Sequence, residues 1–130
     1  MCAAPLVELL LYDIGHMTST ISTKQDILVE KIRTRTAKVG IVGLGYVGLP
    51  LAIEFARARF PVTGIDVQPS RVEELNAGRS YIQDVPTLTL RPFVDSGAFR
   101  ATMDFSVIAE LDTVNIAVPT PLRKKRRTRT

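Results

Sequence analysis

The sequence predicts an α/β fold, a partial doubly wound parallel sheet of about four strands behind an N-terminal helical extension. Three observations carry this. Short apolar runs alternate with amphipathic stretches between residues 37 and 122, a glycine cluster "GLGYVG" joins the first run to the first amphipathic stretch, and an acid, Asp66, closes the second run.

The first element precedes the alternation. Residues 18–36, "TSTISTKQDILVEKIRTRT", begin polar and then set Ile27, Leu28 and Ile32 near one face at helical spacing. Thr23 with Asp26 has the form of an N-terminal cap, so a short helix is expected over about 24–33. Its amphipathicity suits a helix lying on a larger body.

"KVGIVGL" is a β-rich apolar run, as expected of a strand buried on both faces of a parallel sheet. After the glycines, Val47, Leu51, Phe55 and Ala58 recur at helical intervals, giving a helix of about 14 residues that ends near Arg59. Pro50 lies near its first turn, where a missing N–H costs least. "PVTGIDV" reads as a second strand, 62–66. In "PSRVEELNAGRS", Ser70 and Glu73 stand in capping-box relation and Gly78 is placed to stop a helix. Residues 79–97 are rich in Pro, Asp, Thr and Gly, with a short helix expected over 87–96. "FRATMD" and the more apolar "TVNIAVPT" complete the strands. This order is that of a βαβ-based open sheet.

Composition bounds the partners. With 45% hydrophobic and 23% charged residues among 130, the chain is a globular protein of one domain and not a wholly disordered one. Cys2 is the single cysteine, so no internal disulfide forms, and no Cys/His spacing resembles a zinc site. The apolar run 6–11 is interrupted by Glu8 and lacks a preceding cation, so neither a secretory signal nor a span of roughly 20 apolar residues is expected. A cytoplasmic setting follows as the simplest expectation. Met17 is a second candidate start, which would make residues 1–16 a product of start assignment.

The net charge is +4, yet the last eight residues, "RKKRRTRT", hold six cations and no acid. Removing these six from the 17 basic residues leaves 11 against 13 acids, so the basicity belongs to the tail. Six cations could meet phosphates with a salt-dependent, sequence-blind affinity, and "RKKRR" resembles a nuclear import signal. No aromatic residue in the tail can stack on bases, so a solvated, disordered end is expected, without a nucleic-acid partner.

Gly43, Gly45 and Gly48 spell G-x-G-x-x-G. The string alone is weak. Here an apolar strand runs into the first glycine, a helical pattern leaves the third, and a carboxylate closes the next strand 18 residues on. Gly43 permits the tight turn, Gly45 lets a pyrophosphate approach the backbone, and Gly48 lets helix and sheet pack closely. The helix start, with free N–H groups and the positive end of its dipole, then faces the phosphates. Asp66 can accept hydrogen bonds from both adenosine ribose hydroxyls and would repel the extra phosphate of NADP, which favours NAD; Arg71 is near enough to soften that preference. These features define a Rossmann-type site. A flavin or another adenosine-containing ligand shares this half of the pattern, and a plain strand-to-helix turn with Asp66 capping the next loop is the bland alternative.

"VGIVGLGYVGLPLA", followed by "GIDV", "LNAGRSYI", "SGAFRATMDFS" and "VPTPLRK", resembles the N-terminal domain of the nucleotide-sugar dehydrogenases, the UDP-glucose/GDP-mannose dehydrogenase family. "LNAGRSYI" and "VPTPLRK" are more similar to the UDP-N-acetylglucosamine and UDP-N-acetylhexosamine 6-dehydrogenases than to the UDP-glucose enzymes. The resemblance implies oxidation of a sugar C6 alcohol to a carboxylate in two hydride transfers to NAD, through a cysteine-bound aldehyde-level intermediate, by homo-oligomers that serve polysaccharide synthesis. It implies that Gly43, Gly45, Tyr46, Val47 and Gly48 form the pyrophosphate loop, that Asp66 is the ribose-binding acid with Arg71 beside it, and that Thr120 approaches the cofactor. No catalytic residue carries over, and Cys2 is no substitute for the nucleophile.

After "PTPLRK" the family pattern continues into an acidic, proline-containing stretch, whereas this chain ends "KRRTRT". A truncated gene or shifted frame would give such an end, and a functional basic tail is the other reading. The expected organisation is therefore an extension at 1–36, an incomplete NAD-binding domain at 37–122 and a tail at 123–130. By itself the chain is expected to bind NAD weakly at best and to oxidise nothing. A non-catalytic NAD-sensing or interaction module is the alternative function. His16 reads as a solvated loop residue. Tyr81 and Asp84 lie in a loop where substrate or subunit contact is conceivable and ordinary packing is the simpler expectation.

Overall fold

A computed structural model of the chain describes residues 23–120. The expectations on Cys2, His16, Met17, the apolar run 6–11 and the basic tail lie outside the described residues. The described part forms two units that meet in sequence between Thr34 and Arg35.

The first unit contains α1 (Lys24–Arg33). Its capping box forms as expected: the Thr23 hydroxyl accepts from the Asp26 N–H, and the Asp26 carboxylate accepts from the Thr23 N–H, each at 3.2 Å. Asp26 in the first turn and Lys31 and Arg33 in the last complement the helix dipole. No residue of α1 is buried.

The second unit runs β1 (Val39–Val42), α2 (Gly48–Arg57), β2 (Val62–Ile65), α3 (Pro69–Asn76), α4 (Thr87–Asp95), β3 (Phe99–Thr102), a 3₁₀ helix (Phe105–Glu110) and β4 (Thr113–Ile116). The four strands form one parallel sheet in the order β3-β2-β1-β4. Val39 pairs with Val62 on one side and Thr113 on the other, and Val62 pairs with Phe99. The central strands β1 and β2 are buried almost throughout, which is why their sequences are continuous apolar runs.

One sheet face carries the core. Val39, Ile41, Val62, Phe99 and Ala101 alternate onto that face, where Leu49, Ile53, Leu75 and Leu90 of the helices close over them. Leu44 joins this core from the loop after β1 and is fully buried. Gly64 makes room for it, because a methyl group at 64 would lie 2.7 Å from Leu44 Cδ2.

Two local expectations are corrected and one element is new. α2 has ten residues, not about 14, because residues 43–47 form the turn and the helix stops at Arg57. Arg59 adopts φ 69°, and the N–H groups of Arg59 and Phe60 turn back to the carbonyls of Ala56 and Phe55, a Schellman closure with arginine where glycine is usual. The Ser70–Glu73 capping box does not form: Pro69 occupies the first helical position, Gln68 is the N-cap, and Ser70 is already inside α3. The 3₁₀ helix between β3 and β4, started by Asp104 accepting from the Ser106 N–H at 2.9 Å, had no counterpart in the sequence reading. Gly78 does end α3 with φ 76°.

Candidate functional site

The sheet order places the site. The chain moves from β1 outward through β2 to β3 and then returns past β1 to β4, so the connections leaving β1 and β4 diverge and open a crevice at the carboxyl ends of the strands. Val42 and Ile65 end β1 and β2 at its floor, and Ala117 and Val118 follow β4 on its wall.

The glycine loop borders this crevice. Gly43, at φ 94°, makes the turn off the strand, and its N–H donates to the Ile65 carbonyl at 2.8 Å. A methyl group at Gly48 would collide with the Gly43 carbonyl oxygen, so glycine there is a packing requirement of the turn. Gly45 differs from both: its nearest neighbour to a methyl group would be Arg71 Nη1 at 4.0 Å, and the backbone faces open space. Tyr46 and Val47 are 78% and 68% exposed. α2 starts behind them with neither a side-chain cap nor an acid in its first turn, which leaves the positive end of its dipole uncompensated.

Asp66 stands one residue past β2 and is buried, at 6% exposure. Its Oδ2 accepts from the Leu44 N–H at 2.9 Å and from Arg71 Nη1 at 3.3 Å, and its Oδ1 accepts from the Gln68 N–H at 2.9 Å. Burial pushes the carboxyl up, but the N–H groups of Gln68 and Leu44 and the Arg71 guanidinium outweigh it and hold Asp66 below its ordinary value. It is an anion throughout the physiological range. Arg71 also lies over the Tyr81 ring, 5.5 Å from its centroid.

These groups share one cavity of about 560 Å³. Six of the eight cofactor residues expected from the sequence line it: Gly43, Gly45, Tyr46, Val47, Asp66 and Arg71. Gly48 is buried beneath the loop, and Thr120 is exposed just beyond the lining residue Pro119. Sequence reasoning missed the apolar wall of Val67, Phe105 and Val118, large residues two or three positions past the strand ends whose exposure only the fold reveals. Tyr81 packs onto the loop, its hydroxyl donating to the Leu44 carbonyl at 2.6 Å, while Asp84 is exposed and outside the lining.

An open backbone at Gly45, an ionised carboxylate and an apolar wall suit the adenosine-diphosphate half of a dinucleotide. Among the described residues, no cysteine, lysine or histidine lines the cavity. Among the described residues no group of His, Cys, Asp and Glu is arranged to hold a metal, and no helix is long and apolar enough to cross a membrane.

Known proteins agree with this geometry. Residues 37–129 match the NAD-binding domain model of the UDP-glucose/GDP-mannose dehydrogenase family. The chain is 39% identical over 85 residues to the UDP-N-acetyl-D-glucosamine 6-dehydrogenase of Salmonella typhi, covering 65% of this chain and 19% of the relative. It is 37% identical over 87 residues to the UDP-N-acetyl-D-mannosamine dehydrogenase of the same organism, covering 65% and 20%. Among solved structures, the GDP-mannose dehydrogenase of Pseudomonas aeruginosa superposes with a TM-score of 0.63 at 31% identity, over 66% of this chain and 20% of that one. The UDP-N-acetyl-mannosamine dehydrogenase of Staphylococcus aureus gives 0.62 at 30%, over 68% and 21%. The chain thus spans about a fifth of the length of the relatives it matches. A family match over residues 37–129, most of the sequence, leads to one assignment: the chain belongs to the UDP-glucose/GDP-mannose dehydrogenase family, of which it carries the NAD-binding domain.

Proposed function

We propose that Gly43, Gly45, Tyr46, Val47, Gly48, Asp66, Arg71 and Thr120 are the residues through which this domain holds NAD, and that the whole protein oxidises the C6 alcohol of a UDP-sugar to a carboxylate. The observation that supports the site most is that the open backbone of Gly45 and the ionised Asp66 line the same cavity. In this reading the N–H groups around Gly45 and the start of α2 donate to the diphosphate, and Asp66 accepts from the ribose hydroxyls. Asp66 Oδ2 already takes two donors, so a ribose diol spanning both oxygens replaces Arg71 on Oδ2. Gly43 and Gly48 shape the turn, and Thr120 meets the cofactor from the segment that follows β4. Bound NAD supplies the hydride acceptor. The UDP-N-acetylhexosamine class is favoured as substrate by the names of the relatives.

Titration calorimetry of the chain with NAD and with NADP tests the site. The expected result is measurable NAD binding, weaker NADP binding, and at least a ten-fold loss of NAD affinity in Asp66→Ala. Equal affinity of wild type and Asp66→Ala would count against it.

Among the described residues the cavity lining has no cysteine, lysine or histidine, and the chain alone is expected to form no NADH from UDP-N-acetylglucosamine. The same observation favours a second reading, a non-catalytic NAD-binding module. Mixing the chain with the remaining segment of a full-length relative separates the two: recovered NADH formation supports the enzyme reading, and none supports the module.

A further inference from the structure

Leu44 is held at three points. Its side chain is fully buried, its N–H donates to Asp66 Oδ2 at 2.9 Å, and its carbonyl accepts from the Tyr81 hydroxyl at 2.6 Å. The first two anchors come from the βαβ unit itself. The third reaches back 37 residues from the loop between α3 and α4.

A trans peptide is planar, with its C=O and N–H pointing in opposite directions. Whatever fixes the Leu44 carbonyl therefore fixes the direction of the next N–H, that of Gly45. This N–H meets no acceptor among the described residues, and Gly45 lines the cavity. Glycine has the widest backbone freedom of any residue, so the direction of this peptide needs an external anchor.

We infer that Tyr81 is a positioning residue of the dinucleotide loop: by holding the Leu44 carbonyl it aims the Gly45 N–H into the cavity, an inference that rests on the cofactor reading above. Tyr81 is suited to the task. Its ring is half-buried beneath the Arg71 guanidinium, which limits its rotation. Burial pushes the phenol up to about 12, with the charge of Arg71 opposing and those of Asp66 and Glu74 adding, so it is a proton donor at neutral pH.

The test compares wild type, Tyr81→Phe and Asn76→Ala in the full chain, by amide NMR spectra without cofactor and by calorimetry with NAD. Tyr81→Phe keeps the ring under Arg71 and deletes only the hydroxyl. Asn76 is a stability control: its side-chain amide donates to the Ala101 carbonyl and accepts from the Ala101 N–H in β3, outside the cavity. The expected result is that Tyr81→Phe shifts the Gly45 amide resonance and weakens NAD binding about five-fold. Asn76→Ala is expected to lower the melting temperature and leave NAD affinity unchanged. A Tyr81→Phe chain that binds NAD as tightly as wild type, with the Gly45 resonance in place, overturns the inference while leaving the cofactor site standing. If wild type itself binds no NAD, the cofactor reading fails, and an unmoved Gly45 resonance would then refute the anchor as well.

Discussion

At the residue scale, the three glycines of the motif separate into different physical roles. Gly45 lies outside the left-handed region and a Cβ there would meet nothing nearer than 4.0 Å, so Gly45→Val is expected to change stability by less than about 0.5 kcal/mol yet weaken NAD binding at least ten-fold. Gly48→Ala places a methyl group on the Gly43 carbonyl and is expected to cost about 1–3 kcal/mol of stability. Thermal melts paired with NAD titrations check both. Asp66 adds a pH signature. Its native pKa lies below the ordinary 3.8, so its ionised form contributes stability that is fully present above that value and is lost as pH falls through the lower native one. Asp66→Asn should therefore be less stable than wild type at neutral pH, and the gap should close below about pH 4 in denaturant titrations. A gap independent of pH would show that the carboxylate charge is not what holds the loop.

At the scale of the element, helix ends were where sequence and structure parted. Strand positions were legible because the central strands are buried on both faces and read as uninterrupted apolar runs, and α1 was legible because Thr23 and Asp26 form a local box. The Ser70–Glu73 pair had the same spelling, but Pro69 sets the helix start two residues earlier and turns Ser70 into an interior position. Ser70→Ala is accordingly expected to be neutral within about 0.5 kcal/mol, where loss of a true cap would cost about 1 kcal/mol. Arg59 ends α2 in the left-handed region without glycine's freedom, so Arg59→Gly should stabilise by roughly 0.5–1 kcal/mol in thermal or urea unfolding.

At the scale of the molecule, the glycine loop and Asp66 could be read from the sequence because they are joined by one βαβ unit, a local and recurrent spacing. The apolar wall and the Tyr81 anchor could not. Phe105 and Val118 reach the cavity only through the return of the chain to β4, and Tyr81 meets Leu44 through a loop whose path no short pattern encodes. The same topology explains why the site lies at the carboxyl ends of the strands, where the connections of β1 and β4 part. A crystal structure of this chain soaked with NAD tests the central claim most directly. The account predicts a diphosphate oxygen within about 3 Å of the Gly45 N–H and a ribose hydroxyl on the Asp66 carboxylate. Cofactor bound elsewhere, or a ribose that leaves Asp66 on Arg71 and the Leu44 N–H alone, would contradict it.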